Sequence, residues 1–90
     1  MILKTTCVED WDRFMAVFST ESAEKRRALG CRGVSVYRDP NEDDRVWAIF
    51  DWDEEGWAAF VGDPTVPPMM QRAGHKGRPQ APVLVADLDA

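Results

Sequence analysis

Along this chain, short β-branched stretches alternate with stretches whose apolar residues recur every three or four positions. Ile2–Val8 is of the first kind and predicts an N-terminal strand. Glu9-Asp10 then lead into Trp11, Phe14, Met15 and Phe18, a spacing that lays four apolar side chains on one helix face. Acids at Glu9, Asp10 and Asp12 stand near the positive end of that helix, and Lys25, Arg26 and Arg27 near its negative end. The pattern predicts one helix closing at Leu29-Gly30, where glycine suits a left-handed cap. Gly33–Arg38 predicts a second strand and Arg45–Trp52 a third. Asp39–Asp44 between them is dense in turn formers, so the two strands read as an antiparallel hairpin.

Asp53 is placed to cap a second helix from Glu54 to about Val61, with Trp57, Phe60 and Val61 on one face. Gly62-Asp63-Pro64 breaks it. Pro67 and Pro68 are tolerable in the first turn of a further short helix through Met69-Met70-Gln71-Arg72 to Ala73-Gly74. His75–Gln80 reads as a polar loop. Ala81–Leu88 reads as a last strand, with Pro82 at its start or at a sheet edge. The order β-α-β-β-α-β is the ferredoxin-like arrangement, an α+β fold with an antiparallel sheet and helices on one face, spanning residues 1–90 as one domain.

The third strand adds a demand. Val46, Ala48, Phe50 and Trp52 form one of its faces, and Arg45, Trp47, Ile49 and Asp51 the other. Both carry large apolar groups, yet the helices can cover only one. The uncovered face predicts packing against a second copy, sheet to sheet, in a homodimer.

Charge and composition narrow the partners. The net charge is −5, with acids gathered at Asp39–Asp44 and Asp51–Glu55. A nucleic-acid binder needs a basic stripe, and Lys25-Arg26-Arg27 reads instead as the positive end of a helix. The start, Met1-Ile2-Leu3 before Lys4, is too short an apolar run for a signal peptide or membrane span. No membrane role and a cytoplasmic location are therefore expected. Cys7 and Cys31 are expected as free thiols.

Few residues carry a chemical signal. Asp51-Trp52-Asp53-Glu54-Glu55-Gly56 opens like a calcium loop, but the twelfth position, which should be a bidentate glutamate, is Gly62. A helix cap with first-turn acids explains the same string, so no metal is expected. His75 is the single histidine and the one side chain that ordinarily titrates near neutrality. Four tryptophans, Tyr37 and four phenylalanines supply aromatic walls. Ser35, Tyr37, Trp47 and Ala48 are the candidate ligand-binding residues: polar tips and small neighbours among apolar walls suit a small-molecule pocket. Tyr37 and His75 are the candidates for moving a proton.

The strand Gly33–Arg38, the Asp39-Pro40-Asn41 turn, Arg45-Val46-Trp47 through Phe50-Asp51-Trp52-Asp53, and Ala59-Phe60 leading to Asp63-Pro64 together resemble the dimeric α+β barrel superfamily. That superfamily includes the antibiotic-biosynthesis monooxygenase-like and stress-responsive barrel domains. The resemblance covers nearly the whole chain. It implies a homodimeric barrel that binds a small hydrophobic molecule, with cofactor-independent oxygenase, isomerase and cyclase activities among its members. A haem-degrading member would show an asparagine on the first strand, and a tryptophan and an iron-binding histidine on the second helix. This chain has Thr5–Cys7, Phe60 and Met69-Met70 in those regions, with His75 beyond the helix, so no cofactor is expected. Two readings stay open: a cofactor-free enzyme, and a non-catalytic binding module on the same barrel.

Overall fold

In the computed structural model, which describes residues 1–90, the hairpin forms where the turn residues place it. β1 (Ile2–Cys7), β2 (Val34–Arg38) and β3 (Arg45–Phe50) make one antiparallel sheet in the order β1-β3-β2. The register sets Ile2 opposite Phe50 and Lys4 opposite Ala48, with Val36 opposite Ala48 on the other edge. Directly opposed residues share a face. Ile2, Lys4, Thr6, Val46, Ala48 and Phe50 therefore look toward the helices, while Ser35, Tyr37, Arg45, Trp47 and Ile49 look away.

Four helices cover the first face: α1 (Trp11–Phe18), α2 (Glu21–Ala28), α3 (Glu54–Val61) and α4 (Val66–Arg72). Asp10 caps α1 by accepting from the Arg13 amide at 2.8 Å, and Asp53 caps α3 by accepting from the Gly56 amide at 2.7 Å. Pro67 and Pro68 sit in the opening turn of α4, where their missing N–H groups leave no bond unmade. Phe14, Phe60, Val66 and Met69 enter the core from the helices and meet Val46, Ala48 and Phe50. Burial of each large apolar side chain contributes roughly 1.5–3 kcal/mol. An aromatic mesh runs through this core, with Phe50, Trp52, Trp57 and Phe60 at ring separations of 5.5–6.3 Å.

Gly56 is required by contact. A Cβ there would run into the Trp52 indole, whose N–H donates to the Leu29 carbonyl at 2.9 Å. Gly30 closes α2 with φ +92°, as the left-handed cap requires.

Two expectations need correction. The helix predicted from Trp11 to Leu29 is two helices. The Thr20 hydroxyl takes the Ala16 carbonyl at 2.6 Å, while the Thr20 amide turns to Val17 at 3.2 Å, and Thr20 leaves helical geometry at φ −118°, ψ −98°. A side-chain hydroxyl has replaced the backbone donor. The last strand, Ala81–Leu88, does not form within the chain. Residues 75–80 follow the outer edge of β1, where Thr5 and Gln80 exchange both backbone bonds at 2.7 and 2.8 Å and Lys76 N–H reaches the Cys7 carbonyl at 2.9 Å. Beyond Gln80 no regular structure follows, and Val83, Leu84, Val85 and Leu88 are 87, 71, 95 and 81 % exposed. No helix is long and apolar enough to cross a membrane.

Candidate functional site

The helix-covered face of the sheet is not filled solid. Between it and the helices lies a space of about 530 Å³ measured out to its open mouth, of which about 40 Å³ is free to water-sized molecules. Val46, Ala48 and Phe50 floor it, and Phe14, Phe18, Trp57, Phe60, Met69 and Met70 form apolar walls. Into this surface project a few polar groups: Lys4 and Thr6 from β1, Ser22 and Arg26 from α2, and His75 after α4.

Each is held by its local structure. Lys4 occupies the inward parity of β1 between Ile2 and Thr6. Its Nζ lies 3.2 Å from both carboxylate oxygens of Glu54 and 5.0 Å above the Trp57 ring. Glu54 itself sits in the first turn of α3 and is mostly solvated, so the pair stands where the strand meets the outside. His75 is carried in by Gly74, which ends α4 at φ +82° and lets the chain turn back onto β1. Its Nδ1 lies 3.4 Å from the Thr6 hydroxyl and its ring 5.7 Å from Phe14. Burial lowers the His75 pKa from its ordinary 6.5, which keeps the imidazole neutral at pH 7 and able to accept a proton.

Arg26 is the most enclosed ionic group in the cavity wall, at 4 % exposure. Its guanidinium donates to the Ser22 hydroxyl at 2.7 Å and the Phe18 carbonyl at 3.0 Å, and stacks 3.9 Å above the Phe18 ring. Desolvation brings its pKa down to about 10, against an opposing pull from the neighbouring Cys31, so it stays charged at neutral pH.

Of the residues singled out in sequence, the structure brings Ala48 and His75 into this cavity. Ser35, Tyr37 and Trp47 lie on the opposite face of the sheet. Tyr37 is 54 % exposed there. Trp47 donates its indole N–H to Asp39 at 2.8 Å, and that bond, with the Asn41 and Glu42 amides, holds the Asp39 carboxyl below its ordinary pKa. The calcium-like string is accounted for by other partners: Asp53 caps α3, Asp51 pairs with Arg32 at 3.1 Å, and Glu54 pairs with Lys4. Cys7 and Cys31 are free thiols. Cys7, Glu42 and Asp44 put a sulfur and two carboxylate oxygens within 4.8 Å of one another, but Arg45 already binds Glu42 at 3.0 Å and Lys76 binds Asp44 at 2.8 Å.

Lys4, Thr6 and Arg26 were not singled out in sequence, though signals for them exist. Ile2 and Val8 fix the inward parity of β1, which places Lys4 and Thr6 on the same side. Phe14, Phe18, Ser22 and Arg26 recur every four residues, and this stripe survives the break between α1 and α2.

The chain matches no protein-family profile and no curated protein. It does match solved structures. The crystal structure of SnoaB, a cofactor-independent oxygenase from Streptomyces nogalater, has a TM-score of 0.62 at 17 % identity, over 99 % of this chain and 94 % of that one. A point mutant of the same oxygenase gives 0.63 at 19 % identity, over 99 % and 95 %. A Chloroflexus aurantiacus J-10-fl protein, described provisionally as an antibiotic biosynthesis monooxygenase, gives 0.50 at 18 % identity, over 96 % and 94 %. At such identities the likeness is one of fold. The chain has the ferredoxin-like α+β fold implied by the sequence resemblance, with three of its four strands formed, and shares that fold with these solved structures.

Proposed function

We propose that this chain is one protomer of a homodimeric barrel whose cavity binds a small aromatic molecule and oxidises it with dioxygen, without a bound cofactor. The observation that carries the reading is the apolar space between sheet and helices with neutral His75 in its wall. The fold shared with a cofactor-independent oxygenase supports the reaction class.

The residues suggest a division of labour. Apolar walls exclude water and present the rings of a flat substrate to few competing donors. The free space is smaller than such a substrate, so binding displaces side chains, and Met69 and Met70 are the most adaptable of the wall. His75 accepts a proton from an acidic C–H or phenolic O–H, and Thr6 beside it orients the ring. The electron-rich substrate then reduces dioxygen itself. For an activated methylene, CH2 and O2 become C=O and H2O, one oxygen atom going to each product.

A direct test supplies anthrone, a tricyclic compound with such a methylene, in air-saturated buffer, and follows quinone absorbance together with oxygen uptake. His75→Gln is expected to lower turnover by roughly 10²–10⁴-fold, the usual contribution of a positioned base. Tyr37→Phe, altered on the far face, is expected to leave it unchanged. Full turnover in His75→Gln would remove the proton role. Binding of anthrone with no turnover in the wild type would favour the non-catalytic module.

The open face supports the dimer. Leu3, Tyr37, Trp47 and Ile49 lie on it, and the segment 81–90, with Val83, Leu84, Val85 and Leu88 exposed, pairs with no strand of its own chain. A second copy supplies both a sheet to cover the face and a partner for that segment. Two free thiols accord with a reducing, cytoplasmic setting.

A further inference from the structure

We infer that the molecule held in this cavity carries an anionic oxygen group, a carboxylate or an ionised phenol or enol, and that Arg26 is its counterion. The inference rests on the small-molecule reading of the same cavity and narrows its ligand class.

Charge is distributed against the average of the chain. The protein as a whole carries −5, yet no aspartate or glutamate lines the cavity, while two cations do. Those cations differ. Lys4 has a carboxylate partner, Glu54, at 3.2 Å. Arg26 has none: its hydrogen bonds go to the hydroxyl of Ser22 and the carbonyl of Phe18, and its remaining polar neighbour is the Cys31 thiol. Its neighbours in the helical layer do find carboxylates, Lys25 pairing with Asp63 and Arg72 with Glu21.

A buried ion without a counterion is costly, which is why buried charges are ordinarily paired. Here the charge is kept and its geometry fixed. Phe18 lies under the guanidinium at 3.9 Å and Phe50 at 5.9 Å, so the planar group is held in a defined orientation at the cavity wall. A guanidinium binds carboxylates through parallel N–H donors, and such charge-assisted bonds strengthen where water is excluded. The arrangement thus lacks one component, an oxyanion delivered by the ligand.

One rival position must be separated. A second pocket, about 400 Å³ out to its mouth with about 160 Å³ of that free to water-sized molecules, is lined by Arg26, Arg27 and Arg32. An anion attracted there would depend on Arg27 and Arg32 as well.

The test uses two probes of matched shape, 1-naphthoate and the neutral 1-naphthalenemethanol, titrated calorimetrically into the full chain. The wild type is expected to bind naphthoate roughly tenfold or more tightly than the alcohol, as a charge-assisted bond predicts. Arg26→Met, close in volume, is expected to bring the ratio to about one while leaving the alcohol's affinity in place. The double variant Arg27→Gln/Arg32→Gln is expected to keep the wild-type ratio. A wild-type ratio of one, a ratio that survives Arg26→Met, or one lost in the double variant each overturns the assignment. If neither probe binds, the cavity reading itself falls; if the alcohol binds and naphthoate binds no better, only the counterion role falls. A measurement on the wild type alone guards against a misfolded variant. Bound 4-nitrophenol should ionise at a pH lower by about one unit, a tenfold effect, seen in its phenolate absorbance. An unshifted or raised ionisation contradicts the inference.

Discussion

Val46, Ala48 and Phe50 point one way from β3, and Arg45, Trp47 and Ile49 point the other. The first three are buried under helices of their own chain; the second three are only half-buried, although two of them are large and apolar. One strand thus serves two surfaces. The inner one is completed locally, with a small polar set among its apolar side chains. The outer one holds Tyr37 and Trp47 in place but ends on solvent, and the apolar residues that suit it, Val83 to Leu88, sit in a tail with no partner. Aromatic content alone therefore does not mark a ligand site. What separates the two faces is that the inner one encloses a cavity with the buried ions Lys4 and Arg26 in its wall.

That contrast can be broken in measurable ways. The largest effect belongs to the inner face: Phe50→Ala should cost about 3–5 kcal/mol in urea unfolding, because the aromatic mesh cannot close over the gap. Ile49→Ala, one residue away on the outer face, should unfold nearly as the wild type when dilute and lose self-association instead. An equal loss of folding stability in both would erase the distinction. Next comes removal of residues 81–90. Even after ordering costs, loss of four apolar side chains should make the proposed dimer dissociate at roughly hundredfold higher concentration by sedimentation, with far-UV circular dichroism retained. Unchanged association would show that the tail covers nothing. Gly56→Ala should lose about 1–3 kcal/mol, since Trp52 must yield its place beside α3. The smallest effect is the pH response of His75. Its folded pKa is depressed by burial, so its contribution to stability is present above about pH 6.5 and is lost as pH falls through the lower folded value. Across that window the melting temperature of His75→Gln should fall less than that of the wild type; parallel curves would mean the imidazole is solvated.

Most of the architecture was legible from spacing. The hairpin, the Asp53 cap, the two prolines opening α4 and the glycine closing α2 all follow from local chemistry, and each is where the pattern puts it. The break at Thr20 was not legible, because a hydroxyl either continues or interrupts a helix depending on which carbonyl it takes. Nor was the fate of residues 81–88: a β-branched run reports that a strand is favourable and says nothing about which chain supplies its neighbour. His75 and Ala48 line the cavity, whereas Ser35, Tyr37 and Trp47 lie across the sheet from it, because neighbours on a strand face opposite ways and composition alone does not fix the parity. Lys4 and Arg26 are hard to place in a cavity from sequence, since charged residues are ordinarily solvated and Lys25-Arg26-Arg27 reads as the positive end of a helix.

Trp57 has a further use. Of the four tryptophans it is the one that lines the cavity, with an ammonium 5.0 Å from its ring and Phe50, Trp52 and Phe60 around it. An aromatic guest entering there must change the surroundings of that indole before those of Trp11 or Trp47. The protein thus carries its own optical reporter, and emission that is lost in Trp57→Phe but kept in Trp47→Phe would time the arrival of a guest without any label.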